Sequence, residues 1–128
     1  MTTADPVGDP VTRDSAEAAS RDIADVLAVE VVSTAALHLM SAAAVQLGLA
    51  EDLSDHRDLD EARTLIQALA GLVTAGAPRL GHHHAAPLRD GLRSLQLAFR
   101  EASDVPDAPG DGPGESLTGA VYPSASHT

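Results

Sequence analysis

Apolar residues fall into three stretches along the chain, separated by glycine, proline and charge. The first covers residues 21–50. Asp22 and Asp25 suit the positive end of a helix, and Gly48 suits its finish. Between Glu30 and Glu51 lie twenty residues without a formal charge. This helix is therefore apolar nearly all round rather than along one stripe. The β-branched run at Val29, Val31 and Val32 lowers helix propensity and leaves open a start as late as Ser33.

The second stretch opens at Asp58. Its side chain is placed to cap a helix, and Glu61, three residues on, is placed to reach back in a capping box. Leu59, Ala62, Ile66, Leu69 and Val73 advance by three or four residues and share a face, which Leu65 and Leu72 widen. Gly76 and Pro78 are expected to end this helix. The third stretch follows the histidine run, with Pro87 pre-set for the first helical turn. Leu88, Leu92, Leu95 and Phe99 fall on one side, with Arg89, Arg93 and Arg100 mostly on the other.

Residues 1–20 hold four acids and one arginine around Pro6, Gly8 and Pro10, and residues 104–128 hold four prolines, four glycines and four acids. Neither has the apolar content to offset the entropy of ordering. The expected fold class is all-α: a small three-helix arrangement over residues 21–103, with disordered acidic N- and C-terminal tails at 1–20 and 104–128.

Charge and composition narrow the functional classes. The formal charge is −11, and all eight basic residues are arginines dispersed along the chain. Direct nucleic-acid binding needs a clustered basic patch and is not expected. Phe99 and Tyr122 are the only aromatic residues, so no base-stacking platform exists. The lack of cysteine fits a reducing compartment, and the start MTTADPVGDP lacks a basic, apolar leader, so the expected location is the cytoplasm. The uncharged run could span a bilayer as a helix of ~30 Å. Ser33, Thr34, His38, Ser41 and Gln46 within it, acidic flanks and the absence of an aromatic belt weigh against a membrane span.

Candidate chemistry is sparse. His82, His83 and His84, with His38 or Asp90 as a fourth donor, match the donor set of tetrahedral zinc. Adjacent side chains diverge, so the run reads better as a solvated polar turn before Pro87. His38 reads as a satisfied imidazole rather than a proton acceptor, since no acid lies within a helical turn of it to orient the ring. Glu51, Asp52, Asp55, Asp58, Asp60 and Glu61 form an acidic linker without the spacing of a calcium loop. Nucleophile elbows, phosphate loops and dinucleotide fingerprints are absent, so neither enzymatic activity nor a cofactor is expected.

The stretches VEVVSTAALHLMSAAAVQLGLAED, DLDEARTLIQALAGLVTAGAP and HAAPLRDGLRSLQLAFREAS, with the later pieces GPGE and TGAVY, resemble domain-of-unknown-function family 1844 in its actinobacterial branch. The resemblance spans residues 22–122. It implies a small helical bacterial protein with no assigned activity. The resemblance also implies a gene neighbourhood that often holds translation-initiation and ribosomal-protein genes, and with it a housekeeping role; protein-mediated association with the translation machinery is a further alternative that rests on the resemblance alone.

Two helices with single apolar stripes can cover only part of a helix that is apolar on all sides. Part of the first helix is therefore expected to remain exposed, and burial against a second copy or another protein is the common remedy. The leading functional expectation is a homo-oligomer or a partner-bound interaction protein. Ala36, Met40, Ala43, Ala44 and Leu47 are the candidate contact residues. Metal or ligand binding at His82–His84 is the alternative.

Overall fold

A computed structural model describes residues 26–122. The expected tail at 1–20 lies outside the described residues. Helix α1 spans Ala28–Gln46, α2 Leu59–Leu80, α3 His82–Ala102 and α4 Glu115–Thr118, with a short 3-10 segment at Glu51–His56 between the first two. No strand occurs among the described residues, so the all-α expectation holds, with three substantial helices.

Helix α1 starts at Ala28, before the β-branched residues and not after them. Packing of Val29 and Val32 against the core outweighs their propensity, whose penalty is below ~1 kcal/mol per residue. Its end is a Schellman motif: Gly48, at φ 79°, donates to Val45 O and Leu49 donates to Ala44 O. Asp58 caps α2 as predicted, accepting from the amides of Asp60 at 3.1 Å and Glu61 at 3.2 Å. The reciprocal half of the capping box is replaced, because the Asp58 amide donates to Gln46 O at 2.7 Å. That bond ties the end of α1 to the start of α2.

Helix α2 continues through Gly76 and Pro78 to Leu80, four residues past the first signal and two past the second. Buried Ala77 and Leu80 extend the apolar stripe and carry the helix through the bond that Pro78 cannot make. Gly81 alone joins α2 to α3, with φ 83° and ψ 154°, a backbone region essentially confined to glycine. Helix α3 therefore begins at His82, and Pro87 sits in its second turn rather than its first.

The three helices pack with α2 against both of the others. Ile66 and Leu69 of α2 are fully buried and meet Ala36, Ala43 and Leu47 of α1 and Leu88, Leu92, Leu95 and Phe99 of α3 in one cluster. Burial of each large side chain contributes roughly 1.5–3 kcal/mol. Helices α1 and α3 approach closely where Met40 crosses Gly91, since a Cβ at Gly91 would lie 2.8 Å from the Met40 sulfur.

The expectation of a disordered C-terminal tail needs correction for residues 104–122, which lie against α2 and α3; residues 123–128 are outside the described range. Gly112, Pro113, Gly114 and Glu115 are buried. Helix side chains hold the segment through its backbone. Gln96 Nε2 donates to Pro113 O at 3.0 Å, and the Gly114 amide donates to Gln67 Oε1 at 2.8 Å. Arg100 donates to Asp107 O at 3.0 Å, and Arg63 pairs with the Asp107 carboxylate at 3.1 Å while lying 4.9 Å from the Phe99 ring centroid. Polar satisfaction replaces apolar content as the ordering force, which a tally of hydrophobic residues does not register.

Candidate functional site on the outer face of helix α1

The expected contact residues lie on the inward side of α1. Ala36 and Ala43 are fully buried, Leu47 is buried, and Met40 and Ala44 pack against the same core. Their small side chains do form a close helix contact, but the partner is the chain's own α2 and α3. Ala36, Ala43 and Leu47 are therefore unavailable to a second molecule, and Met40 and Ala44 are partly buried against the chain's own core, which corrects the assignment. A helix apolar on every side offers no periodicity from which to choose the inward face. Size does not choose it either: Ala36, Ala43 and Leu47 face in, while Ala35, Val31 and Leu37 face out.

The remaining circumference is the candidate site. Leu27 is 66% exposed, Leu37 56% and Val31 46%. Val26, Glu30, Val31, Thr34, Ala35 and His38 line one shallow hollow along this outer side. Positions 27, 31, 34, 38 and 41 follow the three-and-four spacing of a helix-pairing seam. Thr34, Ala35 and Ser41 keep the middle of the face low, which favours close approach of another helix. Glu30 is its sole formal charge, and His38 stands two turns further along, exposed. The same helix is long and apolar enough to cross a membrane by length and composition, although its inner side is committed to α2 and α3.

The histidine run occupies the first turn of α3. His82, His83 and His84 are all exposed, and the rings of His83 and His84 stand edge to face with centroids 5.4 Å apart. Successive helical residues point about 100° apart, so the three imidazoles do not converge. No group of three or more His, Cys, Asp or Glu side chains among the described residues is arranged to hold a metal ion. His38 is far along α1 on the outer face, and the structure brings neither it nor Asp90 into a set with the run.

A family model described as Domain of unknown function (DUF1844) matches residues 28–101. The chain belongs to this family. The DUF1844 match begins with the first residue of α1 and ends one residue before the last of α3, so it coincides with the three-helix bundle. The Gly112–Glu115 turn lies beyond it. The outer face of α1 lies within it from Ala28 onward, so the candidate site belongs to the DUF1844 unit itself. No curated protein and no solved structure matches the chain.

Proposed function

We propose that this protein is a non-enzymatic self-association module of the cytoplasm, in which the outer face of α1 packs against α1 of a second copy. One observation carries the reading: Leu27 at the N-cap of α1 and Val31 and Leu37 along it stand exposed, on a helix with no formal charge after Glu30. An apolar strip of this kind on a small protein is stabilised by a matching strip, and a two-fold pair supplies one without a second gene product.

Charge selects the orientation. A parallel pair would bring two Glu30 carboxylates together beside an apolar seam, which is unfavourable. An antiparallel pair centred on Thr34 instead sets Glu30 of one copy beside His38 of the other, and Val31 beside the second copy's Leu37. The imidazole N–H then donates to the carboxylate, and each residue serves twice because the contact is symmetric.

Light scattering on the full chain at tens of micromolar tests this. The expected mass is twice 13.1 kDa, falling to 13.1 kDa for Val31→Asp with helicity unchanged. Glu30→Lys and His38→Glu should each weaken the dimer, and the double variant should regain part of the loss. A monomer at these concentrations, or a dimer indifferent to Val31→Asp, would overturn the proposal. Quantitative sedimentation with lipid vesicles in place of dimerisation would do the same, and would assign the face to a membrane.

A further inference from the structure

A second concavity lies on the opposite side of the bundle, where the C-terminal segment crosses α2 and α3. It encloses about 350 Å³, within the range of small-molecule pockets. Val73 of α2, Leu92 of α3 and Val121 of the segment form a buried apolar floor. Arg89 and Arg93 stand one turn apart on α3 at its edge.

Charge makes this groove unlike the rest of the molecule. The sequence carries 19 acidic and 8 basic residues, yet two arginines and no acid are among the described lining residues. Asp90, their sequence neighbour, is not part of the lining. The ion pair formed among the described residues uses Arg63 and Asp107 instead. Arg93 donates to Tyr122 O at 3.3 Å through one nitrogen, which leaves its other donors uncommitted by any described contact. Two guanidinium groups four residues apart on a helix repel each other, and an anion set between them removes that repulsion. No aromatic side chain lines the space, so a nucleobase would find nothing to stack on.

We propose that the groove binds a small amphiphilic carboxylate. Its carboxylate accepts hydrogen bonds from Arg89 and Arg93, and its alkyl body lies on Val73, Leu92 and Val121. Planar guanidinium forks match a carboxylate in a bidentate manner, which gives the site preference for a terminal acid over a hydroxyl or amide of the same length. The C-terminal segment supplies one wall, so occupancy and docking of that segment favour each other. This site is independent of the α1 face.

Calorimetric titration of the full chain with octanoate tests the assignment. Saturable binding of one octanoate per chain is expected, weakened about tenfold for octanamide and for acetate, as removal of a charge-assisted contact or of the apolar body predicts. Arg89→Gln should weaken octanoate about tenfold while leaving helicity and the thermal midpoint in place, because Arg89 is exposed. Val121→Ser should weaken octanoate but not acetate. The proposal fails if octanoate gives no saturable heat below its aggregation range, or if octanamide binds as tightly. It fails equally if the Arg89→Gln chain binds like the parent, or if octyl phosphate alone among the probes binds.

Discussion

Helix α1 and the turn at Gly112–Glu115 invert the usual relation between apolarity and burial. The helix holds sixteen residues of the twenty-residue uncharged run, Val31–Gln46, yet between Ala28 and Gln46 it buries only Ala36 and Ala43. The turn contains two glycines, a proline and a glutamate, and all four are buried. The difference is geometric. One helix of a three-helix bundle turns roughly a third of its surface inward, whatever its composition, and small inward residues bring the axes together rather than adding buried area. The turn lies over two helices at once, and Gln67 and Gln96 supply partners for its backbone. Burial follows from where a segment can be placed and satisfied, not from its hydropathy alone.

The comparison breaks most sharply at Gly114. Its φ of +77° favours glycine, and a Cβ there would lie 2.5 Å from the Ala70 Cβ and 3.1 Å from Gln96 Nε2. Gly114→Ala combines left-handed strain with a clash in the core, and the expected destabilisation is about 2–5 kcal/mol. Denaturant unfolding monitored by helicity measures it. Limited proteolysis should show faster cleavage between residues 104 and 122 in the variant. If stability is unchanged and the cleavage pattern is that of the parent, the segment is not part of the fold.

Gln96 is the next point of attack. It is buried beside Leu92, Leu95 and Phe99, and its Nε2 donates to Pro113 O at 3.0 Å and to Thr118 Oγ1 at 3.1 Å. Gln96→Leu keeps the volume and removes both bonds, leaving the Pro113 carbonyl without this donor, at a cost of about 1–3 kcal/mol. The same denaturation series reads it. A stabilised variant would mean that the turn is held by packing, and would separate it from the polar account given above.

These two residues also mark where the sequence was legible. In α2 and α3, period and packing agree: Ala62, Ile66, Leu69, Val73, Leu88, Leu92, Leu95 and Phe99 are all buried as their spacing requires. The Asp58 cap was readable for the same reason, since its chemistry is local. The C-terminal turn was not readable, because its stability comes from partners 17 and 47 residues away in sequence. Gln96 was the one clue, a polar side chain between apolar stripe positions that requires a hydrogen-bond partner when buried. For α1 the sequence implied an exposed apolar remainder, which the structure contains. It did not specify which side that would be, because uniform apolarity has no phase.

The smallest effect on folding is expected on the outer side of that helix, at Leu37. It is larger and more hydrophobic than Ala43, six residues along, but it is 56% exposed whereas Ala43 is fully buried. Leu37→Ser removes little area from the bundle and should shift monomer stability by less than about 0.5 kcal/mol. In the proposed antiparallel pair, however, Leu37 would lie beside the second copy's Val31, and two-fold symmetry would make each substitution count twice. The dimer dissociation constant should therefore rise while the unfolding free energy measured at dilute, monomeric concentration stays put. Because association adds to apparent stability by mass action, the parent's thermal midpoint should climb with protein concentration more steeply than that of Leu37→Ser. Parallel concentration series for the two chains measure the difference. Coincident slopes would show that the exposed leucine has no partner, and that this apolar face is tolerated in water.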